Sequence, residues 1–299
     1  MDTNKYLKAV LEKETLKEDS AEFKALVAEE SKVRKLLEEH FEEAKPAVKT
    51  GGSRAKGTMI KSNYDLDITC YFDRADDDAG ESLEDIFNNV KVALGSAYFV
   101  NPKTSSLRLE SKDPQSKGKY THVDVVPGRF IDEGRKTDDV FLYQTNGKER
   151  LKTNLQTHID FIRYSGRQEV IRLLKLWKMR TGLSLKTFVL ELMVVEVLYG
   201  FKITDLESQL RSFWETVQDA EAQITIEDPA NPEGNDLSEF LQQYRSVLSV
   251  LATQALGNAD ANNWEEIFGA AESVSDTEKQ DAVASFARSN PSAPQPHAE

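Results

Sequence analysis

The sequence lacks the features that build disulfide-linked or membrane-spanning proteins. Cys70 is the only cysteine in 299 residues, which excludes an intramolecular disulfide and a cysteine-based zinc site. Its place in the apolar run Ile68 to Phe72 predicts a buried thiol. No run of about eighteen uncharged apolar residues occurs, and the mixed-charge N-terminus has no apolar signal region. We therefore expect a cytoplasmic protein without a membrane segment.

One segment combines a glycine turn with two carboxylates. Gly51 and Gly52 let the backbone approach a phosphate chain closely, and Ser53 offers an N–H and a hydroxyl as donors. Asp65 and Asp67 are separated by one residue, so in a strand their carboxylates share a face, an arrangement that suits Mg²⁺ or Mn²⁺. Either motif alone is typical of an ordinary turn or a solvated surface. Together, in this order, they predict a nucleotide site.

A third carboxylate lies in the middle of a predicted strand, residues 120–128. Asp124 stands there between apolar neighbours, where aspartate has low strand propensity and is costly to bury without a partner. If this strand lies beside the strand of Asp67, Asp124 completes a three-carboxylate metal site. The alternative is an edge-strand aspartate that faces water. His122 shares its face and is predicted to be structural, since one imidazole without further ligands is a weak metal signal.

Charge along the chain disfavours a polymer ligand. The net charge is −13, and residues 201–299 carry 5 basic and 18 acidic groups, whereas residues 51–200 carry 23 and 21. Affinity for long nucleic acid depends on basic contacts with phosphates. We therefore expect small nucleotides and no long nucleic acid.

Apolar periodicity predicts a helical second half. Leu185–Tyr199 is apolar nearly all round and is predicted to be a central core helix. Ser82 and Asp85 have the spacing of a capping box at the start of a helix. The other predicted helices cover residues 21–45, 167–180, 203–222, 236–256 and 263–272.

Two lysines on the predicted helix 167–180 are candidates for binding an anion. Lys175 and Lys178 are three residues apart, so both can reach a common phosphate group. The alternative is that both are surface lysines whose stems pass a core face.

These motifs together resemble the polymerase-beta-like nucleotidyltransferases. The matching residues are Gly52-Ser53, Gly57-Thr58, Asp65-Leu66-Asp67 and His122 to Pro127. More narrowly, Leu174 to Lys178 and Leu185 to Leu192 resemble the branch that holds oligoadenylate synthases, cyclic GMP-AMP synthase and the bacterial CD-NTase synthases of anti-phage signalling. The resemblance covers about residues 20–250. The zinc insertion by which the vertebrate enzyme senses DNA has no counterpart here.

The resemblance implies a role for each matching residue. Asp65, Asp67 and Asp124 match the catalytic ligands of two Mg²⁺ ions, which Mn²⁺ can replace. Asp124 is the carboxylate expected nearest the attacking hydroxyl. The implied nucleotide-binding residues are Gly52 and Ser53 at the donor's terminal phosphates, Lys175 as their neutralising lysine with Lys178 beside it, Thr187 where the family has a serine that contacts the triphosphate, and Phe188 where an aromatic ring stacks on a base. Thr187 and Phe188 depart from the commonest residues but keep the hydroxyl and the ring.

The implied fold is α+β, a mixed sheet with flanking helices packed against a C-terminal helical half. We expect a catalytic core over residues 1–160, a helical domain over 161–285 that closes the cleft, and a disordered tail over 286–299. The resemblance also leaves room for a regulatory protein partner.

Three functions remain open on the sequence. The first is a synthase that joins nucleoside triphosphates, ATP or GTP among them, into a cyclic di- or oligonucleotide messenger. The second is transfer of a nucleotide to an RNA, a protein or a small-molecule acceptor. The third is a nucleotide-binding module without turnover, against which the three retained carboxylates argue.

Overall fold

The structure is a computed structural model that describes residues 2–112, 122–147, 150–232 and 237–271. In these ranges the chain forms one mixed sheet with flanking helices and a helical half, which confirms the predicted α+β fold. No helix in the described ranges has the length and apolar character that crossing a membrane requires. The predicted disordered tail, residues 286–299, lies outside the described residues.

In the described ranges, helices and strands are mixed up to Thr153, and the elements from Leu155 onward are all helices. The strands are β1 (Ala47–Thr50), β2 (Leu66–Phe72), β3 (Tyr98–Pro102), β4 (Leu107–Ser111), β5 (Val123–Phe130), β6 (Val140–Leu142) and β7 (Leu151–Thr153). The helices are α1 (Thr3–Lys13), α2 (Ala21–His40), α3 (Gly52–Lys56), α4 (Leu83–Gly95), α5 (Leu155–Tyr164), α6 (Gln168–Thr181), α7 (Thr187–Val197), α8 (Leu206–Gln218), α9 (Ser238–Gln242), α10 (Arg245–Asp260) and α11 (Trp264–Phe268).

The sheet places the two motif strands side by side. Its order is β1-β2-β5-β4-β3, with β6 paired to the end of β5 and β7 paired to β6. β2 and β5 run parallel with Asp67 directly opposite Asp124, whereas the other described strand pairs are antiparallel. The predicted adjacency of the two strands is therefore confirmed. Cys70, as expected, is fully buried in β2.

Two large apolar clusters organise the described chain. The first, here called the sheet cluster, unites α2, α4 and the inner face of strands β1 to β5. The second, the helical cluster, unites α1 with α5 to α11 around Trp177 and Trp214. α1 joins the helical cluster through Tyr6, Leu7 and Val10, although it precedes the sheet in sequence. The division of the chain near residue 160 stays a prediction.

Several helices differ from their sequence-based bounds. α2 ends at His40 rather than at residue 45, since Phe41, its C-cap, leaves the helical backbone conformation with φ −113° and ψ 47°. Lys45, the residue before Pro46, has a left-handed φ of 45°. The helix predicted over residues 236–256 is two helices, α9 and α10. The capping box of α4 is confirmed, since Ser82 and Asp85 exchange both of its hydrogen bonds.

Candidate active site

Three carboxylates converge where β2 and β5 begin. Asp65 lies just before β2, Asp67 is the second residue of β2, and Asp124 is opposite it on β5. One oxygen of each carboxylate lies within 4.8 Å of the others. In the described part of the chain, no other group of three or more His, Cys, Asp or Glu side chains is arranged to hold a metal ion. The parallel register thus assembles the trio that the sequence predicted.

Because the three carboxylates lie close together in a partly buried site, keeping all of them ionised costs free energy. Burial, and after it the charges of Asp65 and Asp124, raises the pKa of Asp67 to about 7. Burial also raises the pKa of Asp65, against the opposing charge of Lys175. A divalent cation would relieve both penalties, and three hard oxygen donors suit Mg²⁺ or Mn²⁺. The residues present therefore fit a divalent metal, while its identity stays a prediction.

Arg108 on β4 holds the third carboxylate in place. It pairs across the sheet with Asp124, and its Nε and Nη2 donate to the two carboxylate oxygens at 3.0 and 2.5 Å. Such a fork fixes the orientation of a carboxylate as well as its charge. The sequence reasoning missed Arg108. The signal that could have found it is a basic residue between Leu107 and Leu109, in the alternating strand beside Asp124.

The glycine turn touches the metal strand directly. The N–H of Gly51 donates to the carbonyl of Asp67 at 2.8 Å. Gly52 has a left-handed φ of 59°, and a Cβ on it would lie 1.6 Å from Oδ2 of Asp67. Only glycine therefore fits at this position. Ser53, the next residue, lies with both glycines on the wall of a cleft.

A buried charge network joins the end of α3 to α6 and α7. Glu191 in α7 accepts hydrogen bonds from Nζ of Lys56 at 2.7 Å and Oγ1 of Thr58 at 2.6 Å. Nζ of Lys175 donates to the carbonyl of Thr58 at 2.8 Å and lies 3.7 Å from Glu191. Burial lowers the pKa of Lys175 against the charge of Glu191. Burial raises the pKa of Glu191 as well, but the charges of Lys56 and Lys175 together outweigh burial and leave the pKa of Glu191 below its usual value.

An aromatic corner completes the cleft at the start of α7. The rings of Phe188 and His158 pack with centroids 4.9 Å apart. Nε2 of His158 donates to the buried Asp228 at 2.6 Å, which holds the imidazole in one orientation. Thr187, the first residue of α7, lies beside them on the cleft wall. His158 and Asp228 were not predicted from the sequence, because they lie 70 residues apart in the chain.

The cleft between the two clusters has a volume of about 480 Å³. The predicted site residues that line it are Gly52, Ser53, Asp65, Asp67, Lys175, Thr187 and Phe188. A second cavity of about 900 Å³ adjoins it and shares Val126, Leu142, Leu151 and Phe188 as walls. Lys178 is half-buried on α6 and does not line the cleft among the described residues, so its predicted role stays a prediction.

A carboxylate trio on adjacent strands, a glycine-serine turn and two lysines beside them are the features that the sequence predicted for a nucleotide site. The chain shares its fold with solved bacterial CD-NTases. No family model matches the chain.

Individual bacterial proteins, in contrast, are similar to the chain. A cyclic AMP-AMP-AMP synthase of Escherichia coli (strain MS 115-1) is 25% identical over 256 residues, which are 78% of this chain and 77% of that protein. The structure of CdnC from E. coli MS115-1, in a complex with HORMA-deltaN, superposes with a TM-score of 0.69 at 20% identity, over 91% of this chain and 98% of the other.

The same fold recurs in more distant bacterial enzymes. The CD-NTase CdnG of Bradyrhizobium diazoefficiens, solved with GTP, has a TM-score of 0.68 at 13% identity and covers 88% of this chain and 94% of its own. DncV of Vibrio cholerae, a cyclic AMP-GMP synthase, has a TM-score of 0.60 at 15% identity, over 90% of this chain and 84% of its own. The resemblance to the CD-NTase branch, predicted from the motifs, is confirmed.

Proposed function

We propose that the protein is a metal-dependent nucleotidyltransferase that joins nucleoside triphosphates into a cyclic di- or oligonucleotide second messenger and releases pyrophosphate. The observation that carries the proposal is a cleft lined by Asp65 and Asp67 of the three-carboxylate site and by Ser53, Lys56 and Lys175. Asp124 completes the carboxylate group from the neighbouring strand β5 but does not itself line the cleft. Ser53 and Lys175, which line the cleft beside Asp65 and Asp67, support the binding of a triphosphate next to a metal site. A binding module without turnover has no chemical need for three mutually repelling carboxylates.

The chemistry divides between two sets of residues. Divalent ions bound to the carboxylates would supply Lewis-acid stabilisation of the reacting oxygens. Ser53 and Lys175 hold the terminal phosphates, so that the bond to pyrophosphate lies in line with the incoming hydroxyl. Asp124 accepts the proton of that hydroxyl. Arg108 keeps the carboxylate of Asp124 in a fixed orientation during the step.

Space in the cleft supports the joining of more than one nucleotide. The cavity at the carboxylates and its larger neighbour meet at Phe188, on which a base would stack. A donor in one space and an acceptor in the other would put a ribose hydroxyl near the metal site. Repetition of the step and closure of a ring are inferred from the relatives.

Substrates and partners follow from the relatives. The E. coli relative is a cyclic AMP-AMP-AMP synthase, and CdnC and CdnG have been solved with ATP and with GTP, respectively, so purine nucleoside triphosphates are the first substrates to test. The CdnC complex with HORMA-deltaN supports a regulatory protein partner. A cytoplasmic location, an anti-phage signalling role and the use of Mg²⁺ complete the proposal.

Product analysis tests this function. The purified protein is incubated with the four ribonucleoside triphosphates and Mg²⁺ or Mn²⁺, and products are identified by mass spectrometry before and after phosphatase treatment. We expect pyrophosphate release and a phosphatase-resistant cyclic product. The matched control is the Asp65→Ala, Asp67→Ala double variant, which should lose the product completely.

Two outcomes would count against a synthase. A product that forms only when RNA, protein or a small molecule is added would indicate transfer to an acceptor. No product above that of the double variant would indicate a binding module. Activity that persists in the double variant would overturn the metal site.

A further inference from the structure

Glu191 is an anomaly in its helix. α7 is apolar nearly all round, yet this carboxylate stands in its middle with 1% of its surface exposed. A buried charge is costly unless it is paired and hydrogen-bonded. The partners that offset this cost come from other elements: Lys56 from α3, Thr58 from the turn that follows, and Lys175 from α6. The pairing therefore joins the helical cluster to the glycine turn of the site.

Within this network one carboxylate faces two lysines, while Asp65 and Asp67 line the same cleft. Glu191 and both lysines line the cleft that also contains Ser53. Each ammonium group has three donors, and the described hydrogen bonds use one on Lys56 and one on Lys175. Donors thus remain on both lysines for an anion in the cleft.

Lys56 occupies a position suited to phosphate. It is three residues after Ser53 in α3, so the two side chains lie on one face of that turn. Its Nζ lies 5.3 Å from the ring centroid of Phe188, on the cleft wall. Its charge also acts on Asp67, which places the ammonium group within electrostatic reach of the metal site.

We propose that Lys56 is a second phosphate-binding lysine, and that Glu191 is a positioning residue that aims Lys56 and Lys175 at the terminal phosphates of the nucleotide. This inference rests on the proposed function, because it adds residues to the same site. Glu191 acts on Lys56 directly and on Lys175 largely through Thr58, whose hydroxyl bonds Glu191 and whose carbonyl bonds Lys175. The network sets both lysines at a fixed distance from the glycine turn.

A double-variant experiment separates phosphate binding from a purely structural ion pair. Binding of inorganic tripolyphosphate and of AMP, each with Mg²⁺, is measured by calorimetry for the wild type and for Lys56→Met, Glu191→Gln and the two combined. Thermal unfolding is followed in parallel. Lys61→Met is the control, because Lys61 makes an exposed ion pair with Glu22, 3.8 Å apart, outside the cleft.

The proposal predicts a pattern that a structural role does not. Lys56→Met weakens tripolyphosphate binding about tenfold or more, the range of a hydrogen bond to a charged group, and leaves AMP binding unchanged. Glu191→Gln weakens tripolyphosphate binding and lowers the melting temperature. The combined variant regains part of the melting temperature, because Lys56 no longer lacks its partner although Lys175 still lacks Glu191, but does not regain tripolyphosphate binding. Lys61→Met behaves as wild type.

Conservative replacement gives a second measurement that does not depend on the double variant. Lys56→Arg keeps the positive charge and should bind tripolyphosphate much more tightly than Lys56→Met. Wild-type tripolyphosphate binding by Lys56→Met, or an equal loss of AMP binding, would overturn the phosphate role. Wild-type binding by Glu191→Gln would overturn the positioning role. These binding measurements stand whether or not a cyclic product forms.

Discussion

Asp67 is the residue at which function conflicts most with stability. Its carboxylate is surrounded by protein and by two like charges, and its pKa is raised to about 7. An acid whose pKa is raised by folding binds its proton more tightly in the folded chain than in the unfolded chain. Its contribution to stability is therefore fully present below the unfolded pKa of about 4 and is lost as the pH rises through about 7.

Neutralising Asp67 should stabilise the metal-free protein. We expect the melting temperature in a chelator to fall between about pH 5 and pH 8, and Asp67→Asn to reduce that fall and melt higher at pH 8. The same variant should lose nucleotidyl transfer. Calorimetric melts across this pH range provide the measurement.

The exposed Asp85 gives the matched control. The side-chain hydrogen bond from Ser82 lowers the pKa of Asp85, so this carboxylate is ionised throughout the range. Asp85→Asn should therefore change the melting temperature by a constant amount from pH 5 to pH 8. A pH slope in Asp67→Asn equal to that of the wild type would contradict the electrostatic interpretation.

At the scale of the element, the turn into α3 and the strand β2 act as one unit. Gly52 has a left-handed φ of 59°, and its missing Cβ leaves the space that the carboxylate of Asp67 fills. A side chain there must move the carboxylate or the turn. Because an error of about 1 Å in a reacting group can cost about a hundredfold in rate, the site depends on this contact.

Gly52→Ala should therefore reduce pyrophosphate release by about a hundredfold or more. The control is Gly134→Ala, since Gly134 also has a positive φ, 73°, but a Cβ on it would meet nothing within 4 Å. Both variants should lose about 1 kcal/mol of stability to backbone strain, and only Gly52→Ala should lose Mn²⁺ binding. Retained Mn²⁺ binding in Gly52→Ala would show that the contact is dispensable.

A site residue could be predicted from the sequence when its partners lie within a few positions of it, and could not when they lie far away in the chain. The three carboxylates were predictable, because strand alternation and the cost of burying a carboxylate can be recognised from a few neighbouring residues. These carboxylates are Asp65, Asp67 and Asp124. Lys56 and Glu191 were not predictable, because they meet across 135 residues of chain. No helix is predicted from the sequence for the mixed-charge N-terminal segment, yet Tyr6, Leu7 and Val10 follow helical spacing and are buried in α1.

At the scale of the whole molecule, the charge of this chain disfavours a long nucleic acid as a ligand or activator. The acidic last third and net charge of −13 disfavour a long polyanion. We expect added duplex DNA to change the rate of pyrophosphate release by less than about twofold at low salt, where electrostatic binding is strongest. Stimulation by DNA that disappears as salt is raised would contradict this prediction.

The packing of α1 also determines how the sheet and the helical cluster are held together. Tyr6 donates to the carbonyl of Gly269, and Lys13 to that of Ala270, so the first helix is held to the last described residues. The backbone passes from the helical cluster to the sheet after α1 and returns after β7. A single backbone break between β7 and α5 would therefore give two pieces that are held together non-covalently, because α1 stays joined to the sheet while it packs in the helical cluster.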